Sequence, residues 1–496
     1  MQETPTEIAE EEAWSSADVD TVRRLMTRPP YLVSEAFREL ITELLTLVRA
    51  YGIRKVPLAQ DADGKPAFKD VEHREAFLGA VHEGWKLAQA RILEGLRARL
   101  PLRAECEHRK AQAHRDHNAD ALACAKRDLI VVNAEMLVLR RFQDSICWTM
   151  LQGQHHIIRR LHLQGRMPEV TIQHIDDILP VLIDVNADPL VMALASDATT
   201  FVQVGDLVYR DLRAAPTVKL VEIKTGKKNV DLAKKARFAA ASGCEHFEHF
   251  ATENLNATDR KHYARVKRQV ERSLSIEEIL ITGDGRDHRT GSHVITPASR
   301  KDPTHFAGEL DKRCAEVVGD TTWALGVVDN CLYYGVYSDP RMLLAFAGWV
   351  KELIQTPTRV VNLVHSFHDA LVRPLPASFL SIEQIARVLR GEIIVVMTLD
   401  IDQWIRIGNE RLGQERIFLE TKRRSRQMLN KTEGYVLTQH DERLIGVRNE
   451  AQVHYLGEGV FDRLFFDFQT PTSLADFMTG TGAEQNPTKA PSPSGG

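Results

Sequence analysis

The 496-residue chain contains no uninterrupted apolar run approaching the roughly 20 residues that a helix needs to cross a bilayer. Its first thirteen residues carry five Glu and no basic side chain, the reverse of a secretory leader. These absences lead to the expectation of a cytoplasmic protein with no membrane partner. No C-x-x-C pair occurs among the six cysteines at 106, 124, 147, 244, 314 and 331. Packed, reduced thiols are therefore expected in place of a zinc ribbon or disulfide framework. There is no internal repeat, and the Gly-rich stretch from Gly283 to Gly291 lacks the G-x-x-x-x-G-K-[ST] order of a phosphate loop, so it reads as a surface turn. An excess of one charge sign is missing too. The formal net charge of -4 excludes wholesale coating of a polyanion, so any such contact must come from local patches. With 43% hydrophobic and 27% charged residues the composition is globular, and the length suits roughly two to four domains.

Against that background one segment stands out, Lys219-Leu220-Val221-Glu222-Ile223-Lys224-Thr225-Gly226. Read as a β-strand, it sends Glu222 and Lys224 to one face and Val221 and Ile223 to the other. The preceding apolar run, Phe201 to Tyr209, carries Asp206 and lies close enough in sequence to pair with it as a hairpin. An acidic-x-Lys triplet alone means little, since Asp63-Gly64-Lys65, Asp259-Arg260-Lys261 and Glu420-Thr421-Lys422 share it. Only the triplet at 222 rides a strand-like alternation with an aspartate on the run before it. Two carboxylates and a lysine at a sheet edge form a Mg²⁺ site beside a cation that positions a water, which is the chemistry of phosphodiester hydrolysis. The structural alternative is a solvated Glu–Lys ion pair.

This arrangement resembles the PD-(D/E)XK phosphodiesterase superfamily, over residues 200 to 275 at most. Gly205 stands where the family name has proline. The resemblance implies a restriction-endonuclease-like α/β fold, a mixed sheet flanked by helices. It also implies metal binding by Asp206, Glu222 and the Ile223 carbonyl, with Lys224 acting on the water or the phosphorane charge. A following helix in the family offers Lys, Arg or Gln to the scissile phosphate. Here Thr258 to Leu274 has helical period, with Tyr263, Val266, Val270 and Leu274 on one stripe. Lys261, Arg265, Arg268 and Arg272 lie opposite, with Gln269 at the margin, so Gln269 or Arg265 is the candidate for that role. Lys227, Lys228, Lys234, Lys235 and Arg237 add positive charge just beyond the strand. A solvated basic face is the ordinary alternative.

Residues 1–130 read as a helical N-terminal region, with helices over 34–50, over 71–100 and again after Pro101 to 151. Residues 131–340 read as the nuclease-like core. Within it Glu135 and Asp144 are candidates for a further acid, 167–200 is an Asp-rich connector, and strands at 323–328 and 332–336 continue the sheet. Residues 341–478 read as a separate α+β domain, and 479–496, rich in Gly, Pro, Ser and Thr, as a disordered tail. His108, His114, His117 and His155-His156 are expected to be structural, and Asp400 and Asp402 to be strand-end residues, not a second metal site. The expected function is a Mg²⁺- or Mn²⁺-dependent nuclease acting on DNA in preference to RNA, and by analogy a bacterial defence effector. A homo-oligomer or a protein partner would form through the C-terminal domain. The rival expectation is a catalytically silent nucleic-acid-binding or scaffold protein with the same fold.

Overall fold

Side-chain caps set where the N-terminal helices begin. Ser34 Oγ accepts the Phe37 N–H at the start of α1 (Glu35–Leu45), and the Asp70 carboxylate accepts the His73 N–H (2.7 Å) at the start of α2 (Val71–Arg115). Asn118 does the same for Ala121 (3.0 Å) at the start of α3 (Ala119–Met150). The expected break at Pro101 is corrected: α2 runs through it, and the chain turns only at 116–118, where His117 takes φ 52°. Pro101 is exposed, so its missing N–H faces water while the opposite side of α2 packs along α3. Arg99–Glu135 (2.7 Å) and Arg109–Asp128 (2.9 Å) tie the two helices together. From Val138 to Trp148 every residue of α3 is buried, as in a helix enclosed on all sides.

The computed structural model describes residues 29–479, apart from 62, 164–166, 214–217, 224–226, 254, 287–292, 296–302, 355–359, 431–435, 450–451 and 458. The acidic lead-in and the tail from 480 lie outside them. After α4 (His155–Leu161), the Asp-rich connector proves structured. It holds α5 (Ile172–Val185), capped by Thr171, and β1 (Val191–Ala195). With β2 (Leu207–Asp211) and β3 (Val218–Val221) this strand forms an antiparallel meander in the order β1-β2-β3. The β1 edge is closed by side chains. Gln89 of α2 donates to Ala193 O (3.0 Å) and accepts from Ala195 N–H (2.9 Å), while Asn186 bonds both polar groups of Ala193. The β3 edge meets helices α6 (Lys227–Ser242) and α8 (Ala257–Thr282), with α7 (Glu245–Glu253) between them in sequence.

The mixed sheet that was expected is absent: every strand pair among the described residues is antiparallel. Nor do the strands near 323–336 extend the meander. β4 (Trp323–Val328) and β5 (Leu332–Tyr337) join β6 (Val361–Asn362) and β7 (Ile394–Leu399) in a second sheet of order β6-β7-β5-β4. That sheet crosses residue 340, so the boundary placed there falls inside a folding unit. One apolar core runs from Tyr31 and Phe37 through Phe142 and Leu194 to Met397 and Leu474. A second small core, with Leu232, Ala236, Tyr263 and Val266, joins α6 to α8. The stripe of α8 thus packs on a helix, and the sheet receives Ile276 and Ile279 farther along. The chain is an α/β protein of long helices and small antiparallel sheets.

Candidate active site

The β2–β3 hairpin ends in the pair Leu207–Val221. Asp206 directly precedes that pair on one strand, and Glu222 directly follows it on the other, so both acids leave the same end of the hairpin. Asp206 is held firmly there. Its N–H donates to Val221 O (2.8 Å), its carbonyl accepts Ser196 N–H (3.0 Å), and its Oδ2 accepts Ile223 N–H (2.5 Å). The turn into Asp206 requires φ +77° at Gly205. Proline is locked near -65°, so the departure from the family name at 205 has a local cause.

The strand expected over 201–209 begins only at Leu207. Phe201 and Val202 are buried in a loop, and burial without alternation reads as strand in sequence. Likewise β3 stops at Val221, so Glu222 and Ile223 follow the strand instead of lying within it.

Two clefts adjoin this end. Glu222 and Gln269 line one of about 380 Å³, bounded by β3, α6 and α8, whose other polar residues include Lys219, Lys234, Arg237, Ser273 and Glu277. Asp206 and Ile223 line another of about 210 Å³, with His174, Asp177 and Asp197. Asp197 escaped the sequence reading because it lies in the turn after β1, a strand that was not foreseen. Burial pushes its carboxyl above the usual carboxylate range, and the charge of Glu222 pushes the same way against His174 and Arg140. A histidine, two further aspartates and Glu222 thus surround the hairpin end.

Lys224 lies outside the described residues. Lys227 and Lys228 open α6. Arg265 and Arg268 are exposed on α8 and Arg272 is half-buried, but none of the three lines either cleft. The candidate acids of α3 are engaged elsewhere. Asp144 is fully buried, paired with Arg141 (2.7 Å) and bonded by Thr200 N–H (2.7 Å), while Glu135 pairs with Arg99. Asp400 caps α10 (Ile401–Leu412), where α9 (Leu343–Leu353) is the preceding long helix, and Asp402 meets His440 (3.0 Å).

His155 contacts Asp467 (2.5 Å), which also accepts from Arg373 (2.6 Å). Burial pushes His155 down, and although burial alone would raise Asp467, His155 and Arg373 hold it at about 2.

Among the described residues no group of three or more His, Cys, Asp or Glu side chains is close enough to hold a metal ion by itself. No helix among them is long and apolar enough to cross a membrane. Compared with family models, curated proteins and solved structures, the chain matches none.

Proposed function

We propose that the chain is a Mg²⁺-dependent nuclease, acting on DNA in preference to RNA, with Asp206 and Glu222 as its acidic pair. The observation that carries this reading is the hairpin end: the two acids flank the terminal Leu207–Val221 pair, and Ile223 N–H orients the Asp206 carboxylate. The donors fit the metal. Two carboxylates and the Ile223 carbonyl are hard oxygens, and Mg²⁺ takes one or two protein carboxylates while keeping several waters. Crowding supports the same choice, because Asp197 is pushed up by burial and by Glu222, and a cation would relieve that charge. Bound there, Mg²⁺ or Mn²⁺ would supply positive charge to the scissile phosphate and acidity to a water.

Asp206 and Glu222 would hold the cation, and the backbone N–H of Ile223 fixes the orientation of Asp206. Lys219, Lys234 and Arg237, at the cleft that Glu222 lines, attract the phosphates. Gln269 offers its amide to a phosphate oxygen from the α8 wall of that cleft. Lys224 follows Glu222 by two residues and takes the role of positioning the water or stabilising charge on the phosphorane.

A second reading has an observation of its own. Asp206 and Glu222 line separate clefts, and the Asp206 carboxylate already serves as a backbone acceptor, as it would in a catalytically silent nucleic-acid-binding protein. Cleavage assays on linear and circular duplex, single-stranded DNA and RNA, with Mg²⁺, Mn²⁺ or chelator, separate the two. Metal-dependent cleavage by the native chain, lost in both Glu222→Gln and Asp206→Asn, is the expected result. Cleavage that persists unchanged in Glu222→Gln would sink the assignment.

A further inference from the structure

With the nuclease reading as its basis, we infer that the cleft between β3, α6 and α8 and the phenylalanine patch beside it bind a single-stranded polynucleotide, phosphates on the cations and unpaired bases on the rings. Lys234 and Arg237 of α6 line the cleft. Both are exposed, and among the described residues neither forms an ion pair, whereas neighbouring Lys235 is engaged by Asp231 (3.2 Å). One turn beyond Lys234 on the same helix stands Phe238, 56% exposed.

Phe238 is the first of three rings in a row. Its centroid lies 4.4 Å from that of Phe247 on α7, and Phe247 lies 6.2 Å from Phe250, which is 65% exposed. Two largely exposed phenylalanines on adjacent helices cost solvation unless something covers them. The adjacent carboxylate at Glu248 is paired with Lys267 (2.6 Å), which offsets its charge beside the patch.

The occupant follows from charge and shape together. With Lys219, Lys234 and Arg237 against Glu222 and Glu277 the cleft keeps a net positive charge that favours a polyanion, and flat exposed rings select flat partners. A duplex hides its base faces within the stack, so only an unpaired strand meets both demands. The cleft, at about 380 Å³, is within the size range of small-ligand sites and has room for a nucleotide.

The test is fluorescence anisotropy on the full chain in chelator, where binding is read without cleavage. The probes are a labelled single strand of DNA, the same sequence as RNA, and the matching duplex. Single strands should bind at least tenfold more tightly than duplex, and the DNA and RNA arms assign the sugar. Phe238→Ser with Phe250→Ser should abolish that preference, and Lys234→Glu with Arg237→Glu should weaken all binding and its salt dependence. Equal affinity for strand and duplex, or unchanged strand binding by the double Phe variant, would overturn the inference. So would sedimentation showing a native dimer that the Phe variant dissolves, since the patch would then belong to a second copy. Strand binding in chelator together with no cleavage of any substrate in Mg²⁺ or Mn²⁺ would uphold this inference and refute the nuclease reading. Duplex cleavage in Mg²⁺ without any strand preference in chelator would do the opposite.

Discussion

At residue 205 the backbone decides which side chains are allowed. A φ of +77° suits glycine, and a Cβ there would sit 3.4 Å from Leu220 Cβ and from the Val221 backbone. Gly205→Ala should therefore cost about 1–2 kcal/mol, as for any L-residue in the left-handed region, and Gly205→Pro should cost more. Urea titration checks both, and a neutral Gly205→Pro would mean that the turn into Asp206 is not the one described. Asp144 poses a different question. It is fully buried against Arg141, with Thr200 donating to it through both N–H and hydroxyl. Asp144→Ala strands the Arg141 charge and should destabilise by about 3–5 kcal/mol. A loss below about 1 kcal/mol would show that the pair is hydrated. At the proposed site, Glu222→Gln should lower metal-dependent turnover more than ~100-fold, beyond the 10–100-fold typical of an outer-shell partner, while the unfolding midpoint stays put. Parallel kinetics and thermal melts separate those effects.

At the scale of elements, the cations divide into two groups. Lys234 and Arg237 line the cleft beside Glu222, whereas Arg265 and Arg268 stand exposed on α8 outside it. Reversing the first pair should reduce the slope of log affinity against log salt by about 1.4 for a single strand, from ~0.7 per phosphate contact. Reversing the second pair should change it by less than half as much. Equal effects would place the polyanion along the outer flank of α8. Elements with strong period or clear caps were legible in sequence. The helix expected over 34–50 opens with α1, and the strands expected at 323–328 and 332–336 appear as β4 and β5. The basic helix was found in place but continues to Thr282, where Gly283 ends it. What failed has identifiable causes. Pro101 is tolerated because tertiary packing outweighs one lost backbone bond, and β1 hid in a run of apolar residues studded with aspartates. The acids at 206 and 222 were legible as residues, but their separate clefts were not, because those depend on where α5, α6 and α8 come to rest.

On the scale of the whole molecule, no single segment owns the core. β5 of the expected middle domain pairs along its full length with β7 of the expected C-terminal one. A chain ending at 340 should accordingly expose β5 and fail to give a cooperative melt, and a stable, cooperatively unfolding 1–340 fragment would refute the shared core. Acid should also loosen the native chain. Burial, reinforced by Arg210 and Lys86, lowers His82 from 6.5 to about 4. The unfolded chain then binds the proton first, so stability is complete above about pH 6.5 and falls as pH drops toward 4, by about 3 kcal/mol for this one residue, which is 1% exposed. His82→Gln should flatten the dependence of melting temperature on pH across that window, and an unchanged profile would assign the acid sensitivity elsewhere.

The tie between His155 and Asp467 also sets a schedule for synthesis. The α2–α3 hairpin can form as it leaves the ribosome, because its contacts are local. The end of α3 and the start of α4 must wait for residues 463–475, where Asp467 meets His155 and Pro471 O accepts the Trp404 indole N–H (3.0 Å). At 5–20 residues per second the 312 residues that separate His155 from Asp467 take roughly 16–62 s to make. Closure around α11 (Pro471–Thr479) therefore comes after the other elements of the shared core have left the ribosome.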